Sequence, residues 1–245
     1  MVFWFGLWVG EIGRPNFWIQ SLCSLTATIG HMSIPHHKYE LLILDYGGVY
    51  SFEYDMPVNY KKIMLEAFGK VPDAAEAAQI LPLSHEFTAG RLTTDQYVHK
   101  VAGVLGTPVP RSSDFEDITI SVTNPPSQAM RQLVTLVKDA GLKVSLLSNM
   151  YAFEVAKTKT SGRYDGFDFV SFSADAGLTK HETAFFNATL EYFGVPADKA
   201  FFVDDVLAYV ETAKAAGIHA LHADHLHFDS AGQLAQAVRS ELFGE

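Results

Sequence analysis

Cysteine is nearly missing from this chain of 245 residues: Cys23 stands alone. A lone thiol forms neither an internal disulfide nor a cysteine-rich zinc site, so packing must hold the fold, and a reducing, cytoplasmic setting is expected. Positive charge is scarce too. Lys and Arg number 18 against 28 Asp and Glu, a formal net charge of -10, and no local block of basic residues offsets it. Such a balance repels phosphate backbones and acidic bilayer surfaces, which argues against nucleic acid as a partner. The chain also lacks a long uninterrupted apolar run. Its N-terminal apolar stretch is broken by Glu11, Arg14 and Pro15, and neither side reaches the roughly 18 to 20 residues of a helical span. No basic residue precedes the first apolar run, as a secretory leader would require. No membrane association is expected. Internal repeats and low-complexity tracts are absent as well, and oligomeric state is left open.

The same N-terminal stretch holds all three tryptophans, Trp4, Trp8 and Trp18, beside Phe3, Phe5 and Phe17. Residues 1–38 read as an N-terminal extension with two explanations open. It is an upstream segment packed on the domain, or a segment foreign to it that ends near Gly30-His31-Met32, with Met32 as the original start.

What remains is ordinary globular sequence, 48% hydrophobic and 19% charged overall, long enough to bury a full core. From Tyr39 onward short apolar runs alternate with amphipathic stretches. That alternation predicts an α/β fold, a Rossmann-like parallel sheet with helices on both faces. The expected strands are 40–44, 143–147, 168–172, 200–203 and 218–221. Met130, Leu133, Val134 and Val137 fall at helical spacing and place a helix over 125–140, with Asn124 as cap, Pro125 in the first turn and Gly141 as the stop. Thr179 and Glu182 have the spacing of a capping box ahead of a helix over 184–193, closed by Gly194 and Pro196. A further helix spans 206–216 and ends at Gly217. Residues 51–122 break the alternation, with helical periodicity near 59–68, 74–80 and 94–105, separated by Pro72, Gly90, Gly106, Pro108 and Pro110. They read as an inserted helical cap, with 39–50 and 123–245 as the core around it.

Ligands of open α/β sheets sit beyond the carboxyl ends of the strands, so the polar residues at those ends carry the argument. The first strand ends in Asp45, followed by Gly47-Gly48, whose glycines permit close backbone approach to an oxyanion. The second ends in Ser148-Asn149, a hydroxyl and an amide suited to a phosphoryl oxygen. Beyond the third lies Lys180, a cation able to neutralise a negative ligand and nearby carboxylates. The fourth ends in Asp204-Asp205, hard oxygens of the kind that hold Mg2+. Singly, each has an ordinary explanation as a turn, a helix start, a solvated lysine or a cap. Their joint occurrence, in this order and on successive strand ends, does not.

With these pieces in place, Leu44-Asp45-Tyr46-Gly47-Gly48-Val49, Leu146-Leu147-Ser148-Asn149, Gly177-Leu178-Thr179-Lys180 and Phe202-Val203-Asp204-Asp205 followed by Ala215-Ala216-Gly217-Ile218, the sequence resembles the haloacid dehalogenase-like superfamily over roughly residues 40–226. It resembles the phosphatase-like branch with a small helical cap after the first motif. The resemblance implies that Asp45 attacks phosphorus to form an aspartyl-phosphate, which water then cleaves. Ser148, Asn149 and Lys180 would hold the phosphoryl group. Asp45, the main-chain carbonyl of Gly47 and Asp205 would hold Mg2+, with Asp204 behind them as the partner of Lys180. The cap would close over a small phosphorylated substrate and choose it.

The pattern also departs from that family. Most of its phosphatases carry a second aspartate two residues after the nucleophile, which protonates the leaving group; here the position is Gly47. Positioned acid/base catalysis is typically worth about 100-fold to 10,000-fold, so its loss should hurt alkoxide leaving groups most and aryl or acyl phosphates least. Glu53, Asp55, His85 and Glu86 are candidate replacements. His181 stands where the family has proline, and Tyr209 stands where an Asp or Asn commonly supports the metal. His219, His222, His225 and His227, with Asp224 and Asp229, match no zinc spacing and read as a solvated loop. Asp114, Glu116 and Asp117 read as a hydrated face, and the pairs Phe185-Phe186 and Phe201-Phe202 as core. The expected function is an Mg2+-dependent phosphatase acting on a small phosphorylated metabolite. Two rivals remain, a haloacid-type dehalogenase, which needs neither the acid nor Mg2+, and a weakened phosphate-binding protein.

Overall fold

Strands form where aliphatic and aromatic residues run together, and the burial of each run follows from its place in the sheet. The computed structural model describes residues 38–244, so the expectation for residues 1–38 lies almost wholly outside the described residues. Strand β1, Leu41–Leu44, is buried along its whole length. It pairs in parallel with β2, Lys143–Ser148, on one side and with β4, Ala200–Asp204, on the other. The outer strands are β3, Phe169–Phe172, beside β2 and β5, His219–His222, beside β4. The order β3-β2-β1-β4-β5 is parallel throughout. The direction of winding reverses at β1, which opens a crevice beyond its carboxyl end.

Helices cover both faces. On one, α5 (Gln128–Asp139) and α10 (Ala231–Phe243) bury Met130, Leu133, Val134, Val137, Leu234, Val238 and Leu242 against β1, β2 and β4. On the other, α8 (Thr183–Phe193) and α9 (Leu207–Ala215) bury Phe185, Phe186, Leu190 and Ala213 with Leu41, Ile43 and Phe202. Both phenylalanine pairs are core, as expected. Two short helices, α6 (Ala152–Thr158) and α7 (Ser173–Ala176), follow β2 and β3 and carried no periodic signal.

Four helices lie between β1 and α5: α1 (Met56–Phe68), α2 (Ala74–Thr88), α3 (Thr94–Leu105) and α4 (Ser112–Ser121). Asp55, Asp73 and Thr93 cap the first three through their side chains, the last two with reciprocal bonds from Glu76 and Gln96. They build a core of their own from Met64, Phe68, Ile80, Phe87, Tyr97, Val98, Val101 and Phe115. Helix α2 runs on past Ile80 through Pro82. The proline removes one backbone bond, and burial of Phe87 beyond it keeps the helix going. Helix α4, read only as an acidic stretch in the sequence, buries Phe115 and Thr119 inward. Outward, Asp114 meets Arg111 and Asp117 meets Lys157, at 2.8 Å and 3.0 Å.

Two helix starts differ from expectation. Helix α5 begins after Ser127, not at Pro125, because the second of two prolines drives the residue before it into an extended conformation. Asn124 instead ties down the loop after β1, its amide donating to the Glu53 carbonyl and its own carbonyl accepting from the Tyr46 and Ser51 hydroxyls. The Thr179–Glu182 bonds exist, but they close a turn ahead of α8, whose cap residue is Glu182 itself.

Candidate active site

Each strand end delivers its polar group to the crevice above β1. Asp45 follows β1 directly, its amide still bonded to the Val203 carbonyl at 3.0 Å. A tight loop then returns the chain, with the Tyr50 amide on the Asp45 carbonyl and the Ser51 amide on the Tyr46 carbonyl. Gly48 in this loop has φ +74, and a Cβ on it would stand 2.3 Å from Asp205 Oδ2. The glycine is therefore required twice, by backbone and by the carboxylate beside it.

Lys180 is the pivot. Its ammonium lies 2.7 Å from Asp45 Oδ1 and 2.6 Å from Asp204 Oδ2, and all three side chains are buried. Asp204 Oδ1 also accepts the Val206 amide at 2.8 Å. Oxygens of Asp45, Asp204 and Asp205 come within 4.8 Å of one another. Burial pulls the Lys180 ammonium downward, but Asp204 and Asp45 outweigh it and hold the pKa above the ordinary lysine value. Burial, then Asp45, pushes the Asp205 carboxyl up to about 7. Burial raises Asp204 as well, against the pull of Lys180. Three carboxylates around one ammonium leave an excess of negative charge at close quarters. A hard divalent cation with oxygen ligands fits that donor set.

Ser148 closes β2, buried, and its hydroxyl has no hydrogen-bond partner among the described residues. The Asn149 side chain, expected to face a phosphoryl oxygen, is engaged within the protein. Its oxygen accepts the Lys180 amide at 3.0 Å, and its nitrogen donates to the Tyr209 hydroxyl at 3.1 Å. Tyr209 also lays its ring 4.7 Å from the Lys180 ammonium, a cation–π contact that helps hold the lysine. Tyr209, at the position where an Asp or Asn commonly supports the metal, thus contacts Lys180 and Asn149.

The histidine stretch is likewise more than a solvated loop. His222 lies on β5 and bonds the Asp205 carbonyl at 2.9 Å, and His225 bonds the Gly48 carbonyl at 3.1 Å while stacking on Phe52. Both brace the loops that carry Asp45 and Asp205. Of the candidate replacement acids, Glu53 accepts the Ser127 hydroxyl, Asp55 caps α1 and Glu86 pairs with Arg91. Only His85 lines the cavity, its ring 4.4 Å from that of His181.

The cavity over the cluster has a volume of about 590 Å3 and is lined by Asp45, Ser148, Lys180 and Asp205 together with Met56, Tyr60, Ile63, Ile80 and Leu81 from α1 and α2. Tyr54, Glu154 and Arg163 are among the wall residues that were not singled out in the sequence. The Tyr54 ring lies on Gly47, where a Cβ would come within 2.9 Å of it. Burial, then the charges of Glu154, Asp205 and Asp45, raises the Tyr54 hydroxyl well above the usual tyrosine range. Glu154 is buried, accepts the Tyr151 amide at 3.1 Å, and has its carboxyl pushed by burial to about 7. Arg163 bonds the Thr123 hydroxyl at 3.2 Å. No helix among the described residues is long and apolar enough to cross a membrane.

No family model matches the chain. A sesquiterpene phosphatase, astK, of Aspergillus oryzae is 25% identical over 186 residues, 75% of this chain and 89% of that protein. A HAD family enzyme of Bacteroides thetaiotaomicron, solved in complex with magnesium and inorganic phosphate, superposes with a TM-score of 0.58 at 18% identity, covering 75% of this chain and 93% of that one. An L-2-haloacid dehalogenase of Xanthobacter autotrophicus does so with a TM-score of 0.53 at 20% identity, covering 75% and 77%. These likenesses support the resemblance read from the motifs, and the parallel five-stranded sheet is the haloacid dehalogenase-like fold.

Proposed function

We propose that this haloacid dehalogenase-like hydrolase is an Mg2+-dependent phosphatase that works through an aspartyl-phosphate at Asp45 and takes phosphorylated compounds with an apolar body. The observation that carries the reading is the convergence of Asp45, Ser148, Lys180 and Asp205 on one cavity. Asp45, the Gly47 carbonyl and Asp205 would hold Mg2+, which supplies neutralising charge so that an anionic phosphoryl group can approach a carboxylate. Lys180 pairs with the Asp45 carboxylate and, with the Ser148 hydroxyl, receives the phosphoryl oxygens. Asp204 holds Lys180 in place. Asp45 attacks phosphorus, the P–O bond to the leaving group breaks, and water then cleaves the acyl phosphate to release phosphate and restore the carboxylate.

The four helices between β1 and α5 act as the cap, residues 51–122, over a core of 39–50 and 123–245. Met56, Ile63, Ile80 and Leu81 give its cavity face an apolar character, and the relative named a sesquiterpene phosphatase fits a substrate of that kind. Release of phosphate from p-nitrophenyl phosphate and from a sesquiterpenyl phosphate, with and without Mg2+, tests the reading. Asp45→Asn should lower turnover at least about 1,000-fold, and robust turnover in that variant would sink it. Mg2+-independent chloride release from a 2-haloacid would favour the dehalogenase reading, which the acidic cluster speaks against.

A further inference from the structure

Gly47 and Tyr54 form a single device. The backbone at Gly47 lies outside the left-handed region, so no turn geometry demands glycine there. What excludes a side chain is the Tyr54 ring, with Cδ1 at 2.9 Å and Cε1 at 3.3 Å from where a Cβ would stand. The ring thus fills the space, two residues past Asp45, from which a side chain would face the leaving group. Tyr54 is anchored by its amide on the Ser51 carbonyl at 3.1 Å, one residue before the Asp55 cap of α1. It lines the same cavity as Asp45 and Ser148, and its hydroxyl has no hydrogen-bond partner among the described residues.

We propose that Tyr54 is a catalytic residue that replaces the missing acid with a neutral hydrogen-bond donor, its hydroxyl bonding the leaving-group oxygen. This rests on the phosphatase reading above. As Asp45 forms its bond to phosphorus, the electron pair of the breaking P–O bond passes to the leaving oxygen. The Tyr54 O–H stabilises the charge that develops there, and solvent then supplies the proton. Tyr54 keeps its own. Such a donor matters most where the leaving oxygen carries most charge, and least for a nitrophenolate, which is stable without help.

The test is a leaving-group series, from p-nitrophenyl phosphate through phenyl phosphate to an alkyl phosphate, compared between wild type and Tyr54→Phe. The expected result is a loss of kcat of about 100-fold on the alkyl ester and little change on the nitrophenyl ester, which steepens the dependence of rate on leaving-group pKa. Equal losses along the series, or none, would overturn the proposal while leaving the phosphatase reading standing. Absence of Mg2+-dependent turnover in wild type would overturn both. A second comparison serves if Tyr54→Phe folds poorly. Tyr54→Ala makes room at position 47, and adding Gly47→Asp should recover alkyl phosphate turnover that Tyr54→Ala alone lacks. No recovery would count against Tyr54 standing in the acid's place.

Discussion

Asp205 shares its surroundings with Asp45 and Asp204 but has no ammonium bonded to it, and burial, then Asp45, holds its carboxyl above the ordinary carboxylate range. A metal that needs the ionised form must displace a proton where the carboxyl is still neutral. Mg2+ affinity should therefore rise with pH and level off above neutrality, with binding near pH 6 about tenfold weaker than near pH 8. Calorimetric titration at the two values checks this, and a flat profile would remove Asp205 from the metal site. Glu154 presents the opposite concern, a carboxyl in the cavity wall that resists ionising. Burial holds its carboxyl at about 7, above the ordinary glutamate value of 4.5. Its stabilising contribution is thus whole below about pH 4.5 and is lost as pH rises through 7, up to about 3 kcal/mol. Glu154→Gln keeps an acceptor for the Tyr151 amide without a charge to bury. It should be more stable than wild type at about pH 8, with the difference shrinking toward pH 5 in urea melts. A difference constant across that range would show that Glu154 does not titrate there.

Among the elements, α2 shows how packing overrides local signals. Its periodicity fades near Ile80 and a proline follows, yet it runs to Thr88 because Phe87 stacks on Tyr97 and Tyr151 at 4.3 Å and 4.5 Å. The consequence is functional, since this helix carries Leu81 and His85 to the cavity. Leu81 is exposed to it rather than packed in a core. A leucine contact with an apolar substrate is worth on the order of 1.5 kcal/mol, so Leu81→Ser should raise KM for a sesquiterpenyl phosphate about tenfold with kcat held. An unchanged KM would place the apolar body elsewhere. Helix α5 teaches the converse: its apolar spacing was legible, but Pro125-Pro126 obeyed the steric rule for consecutive prolines and left Asn124 free to tie the β1 loop.

At the scale of the whole molecule, the parallel sheet could be read from alternation because a strand buried on both faces must be an unbroken apolar run. The polar ends of those runs were equally plain, since Asp45, Ser148, Lys180 and Asp204-Asp205 are conspicuous against aliphatic neighbours. Strand order was not legible from periodicity. Residues 45, 180 and 204 become neighbours only because β1 lies between β2 and β4, a relation set by crossovers rather than by spacing. The same holds for Tyr209 over Lys180, for His225 on Gly48 and for Tyr54 on Gly47. Aromatic rings and histidines occur throughout such chains, and nothing local marks the ones that fold back on a motif. Sequence alone thus determined the chemical inventory and the layered fold, because burial and polarity are properties of each residue. Tertiary structure decided which groups share a hydrogen bond, a charge or a space, because those depend on distances of a few ångströms between segments far apart along the chain.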